Sequence, residues 1–271
     1  MTTLREYVAG WAATAADLSE LAAELSPTDL ALPTDCPGWT VHDVLAHCVA
    51  VESELAGDGR PRVEVDTSRP HIAGAANVYT ERGVLALRTQ SGDGLVAAFR
   101  DAVRRRTGLL EAMDLDRPPE RPDLTPGDID WDWPTLMRNR VIDLWVHDQD
   151  IRRAVGSPGH LDSPGARVAQ ETFASALPFI VAKRAGASPG ATVVVDITGP
   201  VSAVYGVRVG PDGRGEPTEA AAEDPTARLT MSTEVFTMLG AGRRDPATLP
   251  ISVAGDAGLA ADIVANMTLT M

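Results

Sequence analysis

The hydrophobic period of this chain changes once, near Gly186. Before that point apolar residues return every three or four positions, as in "LREYVAGWAATAADLSELAAEL". This is the spacing of helices that bury one face. After it, "ATVVVDITG" and "AVYGVRVG" are rich in β-branched residues and bounded by Gly and Pro, so they read as strands. A helical layer and a sheet need different cores. The change therefore predicts a helical bundle over 1–186 followed by a small α+β domain over 187–271. With 271 residues, the chain is long enough for both.

Within the first region the spacing predicts a helix from about residue 4. A second follows over 41–55, with Thr40 as N-cap and Asp43 completing a capping box. Two more flank "SGDG" at 91–94. A fifth helix runs over 134–155, with Pro134 in its first turn and Gly156 at its end. A further helix over 163–184 closes the bundle region. In the second region "ARLTM" and "ISVAG" read as strands, and "STEVFTMLGAG" and "AGLAADIVANM" as short helices. "PDGRGEPTEAAAEDP" reads as a polar hairpin or loop.

Net charge is -14, which disfavours nucleic acid or an anionic membrane as partner, because both need a basic surface. No stretch has the length and apolarity of a membrane span, and the N-terminus lacks the apolar core of a signal peptide. The two cysteines, Cys36 and Cys48, form no CxxC pair, which suits a reducing cytoplasm. The richness in Ala, Arg, Asp and Gly has the character of a high-GC genome.

The helix over 134–155 carries the first chemical signal. Met137, Val141, Leu144, Ile151 and Val155 form its main apolar seam, and Ile142, Trp145 and Val146 extend the apolar surface. A helix apolar nearly all round is buried. Asp143 and His147 lie one turn apart on it, with Arg140 and Asp150 beside them. A buried carboxylate needs a partner. Two readings follow: a structural Asp–Arg–His network, or two metal ligands at i, i+4 that need a third from another segment.

His47 is the third candidate. It borders the seam of Val41, Val44, Cys48, Val51 and Leu55, whereas His42 points away, and His71 and His160 fall in loops expected to be solvated. His47, Asp143 and His147 would supply three ligands and leave a coordination position open, as catalytic sites do. Two imidazoles and a carboxylate suit zinc and also other divalent ions. Cys48, about 100° round the helix from His47, reads as a small buried apolar residue.

The segments "CPGWTVHDVLAHCVAVE" and "RVIDLWVHDQDIRRAVGSPG" resemble the mycothiol-dependent maleylpyruvate isomerase family, and "STEVFTMLGAGRRDP" with "ISVAGDAGLAADIVANM" resembles the C-terminal domain of many members. The resemblance implies a DinB-like four-helix bundle over 1–186 that binds a divalent metal, usually zinc. It implies a sterol-carrier-protein-like domain over 187–271. It also implies His47, Asp143 and His147 as metal ligands. Asp143 is one methylene shorter than the Glu expected there in the isomerase itself. A C-terminal-domain arginine used by the isomerase corresponds to Arg243, or to its neighbour Arg244.

The implied partners are mycothiol, a low-molecular-weight thiol, and a small electrophilic substrate. A metal lowers the pKa of the thiol, and the thiolate attacks an electrophilic carbon. On a cis-enoyl acid, addition, bond rotation and elimination give isomerisation. On an activated leaving group, the same attack gives S-transfer. Asp150 is placed to orient a ligand from behind. Two other readings stand beside this one: a non-enzymatic protein that binds an apolar ligand, and a hydrolase using metal-bound water.

Overall fold

The computed structural model describes residues 2–219 and 223–270. They form two compact units, residues 1–159 and 160–271. Among the described residues no helix is long and apolar enough to cross a membrane.

The first unit is helical: α1 (Leu4–Glu24), the single turn α2 (Pro27–Leu30), α3 (Val41–Leu55), α4 (Ala75–Leu87), α5 (Gly92–Glu111) and α6 (Trp133–Val155). The helix starts are written locally. Thr3 with Glu6, and Thr40 with Asp43, form complete capping boxes on α1 and α3. The Asp132 carboxylate accepts from the Thr135 N–H at the start of α6, next to Pro134, and Gly156 stops α6 in a left-handed conformation at φ 68°. A side chain at Gly156 would be strained there.

Four long helices close a ring: α1 packs on α6 and α5, and α3 packs on α5 and α6. Trp11, Leu18, Leu45, Phe99, Leu144 and Trp145 fill it and are essentially inaccessible. Each such side chain contributes roughly 1.5–3 kcal/mol through burial. α4 lies outside the ring against α3. The two approach so closely that a Cβ at Gly83 would come 2.6 Å from the Cβ of Ala50.

The second unit holds α7 (Pro164–Ser175), α8 (Leu177–Phe179), strands β1 (Thr192–Thr198), β2 (Ala203–Val209), β3 (Gly215–Thr218) and β4 (Ala227–Ser232), α9 (Thr233–Gly240), β5 (Ser252–Gly255) and α10 (Ala257–Ala265). The sheet order is β3-β2-β1-β4-β5. All neighbours are antiparallel except β1 and β4, whose register pairs Val195 with Leu229. β1 is the central strand, and its Val193, Val194 and Val195 are all buried, whereas β4 alternates buried and half-buried residues.

Two expectations change, and a third resolves to the hairpin it allowed. The units divide at 159/160 instead of 186, because α7 packs on α9 and the Gln170 amide donates to the Val201 carbonyl at 2.8 Å. Helical period identifies a helix but not the core it joins. The helix expected over 163–184 is broken into α7, α8 and a π-type turn over Ile180–Arg184, around Pro178, which has no N–H to donate. The polar stretch 211–225 contains an edge strand, β3, paired to β2 from Gly206–Thr218 to Val209–Gly215. Residues 220–222 of that stretch lie outside the described residues.

Candidate metal centre

α3 and α6 bring the three expected side chains together. His47 Nε2 lies 3.3 Å from Asp143 Oδ2, and His147 Nε2 lies 3.7 Å from Asp143 Oδ1. The two imidazole rings meet edge to face, with centroids 4.8 Å apart. One donor atom from each of the three residues falls within 4.8 Å of the others. The shorter side chain of Asp143 therefore still reaches both histidines.

Their electrostatics follow from burial and partners. Burial pushes the His47 imidazole below its ordinary range, against the opposing pull of the Asp143 carboxylate. His47 is thus a neutral ring at neutral pH. Burial would raise the Asp143 carboxyl, but the Arg140 guanidinium and the two imidazoles outweigh it and hold it well below the usual carboxylate range. A neutral imidazole and an ionised carboxylate are the forms a metal requires. His47 Nδ1 is buried without a hydrogen-bond partner. The Asp143 side chain stays 31% exposed, so the group opens to solvent on that side. A narrow cleft of about 10 Å³, the room of about one water, borders His47 and is lined by Glu54, Arg60, Tyr79 and Arg82 among others. The donor set fits a divalent ion.

Behind the site runs a buried chain of charges. Arg140 donates to Asp143 Oδ2 at 2.8 Å and, through two of its nitrogens, to Glu52 Oε1 at 3.0 and 2.8 Å. Arg106 donates to the other Glu52 oxygen and lies 4.8 Å over the Trp11 ring. Burial would raise the Glu52 carboxyl, yet the two guanidiniums hold it below its ordinary value. Glu52 itself is inaccessible.

Two positions from the turn before α3 complete the surroundings. The Trp39 ring stands 5.2 Å from His47 and 6.2 Å from His147, and its indole N–H donates to Glu81 at 2.8 Å. Cys36 reaches the far side of His147, where its Sγ lies 3.1 Å from Asp150 Oδ2. Cys36, His147 and Asp150 form a second group of possible metal donors that shares His147 with the first.

Other expectations fare differently. Asp150 is fully buried, and its Oδ2 lies 3.1 Å from His147 Nδ1. Cys48 is inaccessible, and burial drives its thiol well above the ordinary range, as suits a core residue. His42 is not free in solvent: its Nε2 lies 2.8 Å from the Gln90 carbonyl and ties α3 to the turn before α5. His71 is mostly covered and sits 3.4 Å from the buried Glu81. His160 is half-buried at φ 59°. Arg243, in the second unit, is half-buried just after α9, and its guanidinium donates to the Ala241 carbonyl at 3.0 Å. Arg244 beside it is exposed.

Sequence reasoning missed Cys36, Trp39, Glu52 and Arg106 as neighbours of the site. Glu52 carried a signal, a charge one turn from both Cys48 and Leu55 on an apolar seam. Its partner stands in the run Arg104–Arg105–Arg106, where only Arg106 is buried.

The comparisons with known proteins bear on this arrangement. A family model described as the mycothiol maleylpyruvate isomerase N-terminal domain matches residues 11–152, and the matching C-terminal domain model covers 167–262. Two solved structures of a mycothiol-dependent maleylpyruvate isomerase share the fold, one of them a His-to-Ala variant. They have 16% and 17% identity and TM-scores of 0.55 and 0.53. Each superposition covers 95% of this chain and 98% of the other. A search of curated proteins finds no match. By both of its domains, the chain belongs to the mycothiol-dependent maleylpyruvate isomerase family.

Proposed function

We propose that this protein is a metal-dependent, mycothiol-using enzyme that isomerises, or transfers the thiol to, a small electrophilic substrate of the maleylpyruvate type. The observation that carries the reading is the convergence of His47, Asp143 and His147 at a solvent-open point, with His47 held neutral and Asp143 ionised. A divalent ion held there, zinc first among them, would lower the pKa of the mycothiol thiol and so supply the nucleophile.

The chain's own residues do the rest. His47 and His147 both present Nε2 to the Asp143 carboxylate. Arg140 fixes Asp143 by one oxygen, which leaves Oδ1 facing His147. Trp39 walls the two rings and keeps water from one flank. Arg243 is the residue we assign to the anionic end of the substrate, on its position after α9 in the C-terminal domain. Two buried cysteines without a disulfide and a thiol cofactor suit a reducing cytoplasm.

The test is elemental analysis of the full chain together with conversion of maleylpyruvate with and without mycothiol. We expect about one divalent ion per chain and turnover that requires the thiol. His47→Ala and His147→Ala should each release the ion and abolish turnover, whereas Arg243→Ala should chiefly raise KM. Wild-type protein that binds no divalent metal would sink this reading. Turnover unchanged without thiol would favour metal-bound water as nucleophile.

A further inference from the structure

The segment Thr34–Trp39 crosses behind the metal centre, and it is rigidly made. The Thr34 hydroxyl donates to the Trp39 carbonyl at 2.9 Å, and the Cys36 N–H donates to the Thr34 hydroxyl oxygen at 3.2 Å. The Trp39 N–H donates to the Cys36 carbonyl at 3.1 Å, and Gly38 takes φ +79°, which favours glycine. This turn delivers the Cys36 thiol to Asp150.

Asp150 is inaccessible, and its two oxygens are divided between partners. Oδ1 accepts from the Arg153 guanidinium, which also donates to Asp35 at 2.8 Å. Oδ2 lies 3.1 Å from Cys36 Sγ and 3.1 Å from His147 Nδ1. A carboxylate paired to a guanidinium is ionised and can only accept. Both the thiol and Nδ1 therefore donate to it. His147 is then the Nδ1–H tautomer, with the Nε2 lone pair facing Asp143 and His47. Cys36 Sγ is 3.9 Å from Nδ1, on the ring edge opposite the one that meets Asp143.

We propose that Cys36 is a positioning residue: its thiol donates to Asp150, and Asp150 sets the tautomer and orientation of His147 for the metal. The thiol acts as a neutral hydrogen-bond donor, not as a ligand and not as a nucleophile. This inference rests on the metal reading above, and it assigns Cys36 to the first donor group as a support instead of to a metal position of its own. Outer-shell partners of this kind are worth about 10–100-fold in metal affinity when removed.

The test is Co²⁺ and Zn²⁺ binding to the full chain, by chelator competition and by the Co²⁺ absorption spectrum. Cys36→Val keeps the volume and removes the donor, whereas Cys36→Ser keeps a donor. We expect Cys36→Val to weaken binding by about tenfold and Asp150→Asn by about 10–100-fold, with Cys36→Ser close to wild type. The double variant Cys36→Val/Asp150→Asn should lose less than the product of the two effects, because both act through one hydrogen-bonded chain. Should Cys36→Val not fold, Cys36→Ala carries the same arms.

Equal affinity and an equal spectrum for Cys36→Val and wild type would overturn the inference and leave the metal reading intact. A thiolate-to-Co²⁺ charge-transfer band in wild type, lost in Cys36→Ser, would overturn it in favour of Cys36 as ligand. Wild type that binds neither ion would overturn the metal reading, and this inference with it.

Discussion

The two units bury different things. In the helical unit, residues 1–159, the inaccessible or nearly inaccessible side chains include Glu52, Glu81, Arg106, Arg140, Asp148 and Asp150 as well as His47 and His147. In the sheet unit, residues 160–271, the buried polar side chains among the described residues are Gln170, Thr233 and Thr237, none of them charged. Desolvating a charge is costly unless partners replace its water. The helical unit meets that cost with a continuous chain, Arg106–Glu52–Arg140–Asp143, that ends at the candidate ligands. The described core of the sheet unit packs Val193, Val194, Leu229 and Phe236 instead. Chemistry is to be sought in the core that keeps charges at a cost, not in the one whose described residues bury none.

The strongest way to break the comparison is Glu52→Gln. It leaves two buried guanidiniums without their shared anion and should cost about 3–5 kcal/mol of stability, read from urea denaturation. The same variant should change the acid limb of stability. Glu52 titrates in the folded chain below its ordinary value of 4.5, so between the two values the unfolded chain binds more protons. Its contribution is therefore present above about pH 4.5 and lost as pH falls through the folded value. Wild type should show that loss and Glu52→Gln should show less of it. A variant as stable as wild type at pH 7 would mean that the charge chain is incidental.

A smaller effect is expected in the other core. Ile197→Val removes one methylene from a fully packed strand and should cost about 0.5–1.5 kcal/mol, with the metal content of the folded protein unchanged. A loss of metal in that variant would erase the division of labour between the units. The smallest effect should come from the exposed pair Arg208–Glu216 on β2 and β3, whose side chains are 61% and 57% exposed. Arg208→Ala should shift stability by less than about 0.5 kcal/mol, because solvent screens such a pair. A larger shift would show that the sheet unit also depends on its charges.

Much of this architecture is legible in the residues themselves. The capping boxes at Thr3 and Thr40, the Gly156 stop and the strand runs of β1, β2 and β4 are local signals, and each element forms where they place it. Asp143 and His147 stand out because i, i+4 spacing puts them on one stripe of a buried helix. His47 stands out because it borders an apolar seam. Cys36, by contrast, meets an acid 114 positions away, and Arg106 meets one 54 positions away. Nothing local marks either contact. The run Arg104–Arg105–Arg106 offers three equivalent side chains, and the bundle buries one of them.

The change from helix to sheet, the ends of most helices and three side chains suited to hold a metal can be read from the residues alone. These follow from hydrophobic period, capping chemistry and residue type, all of which act within a few positions. Only the tertiary structure decided that α7 joins the sheet unit, that Asp143 reaches both histidines despite its short side chain, and that Cys36 and Asp150 stand behind His147. Those outcomes depend on which faces meet across the fold, and distance in space is not written in the order of the chain.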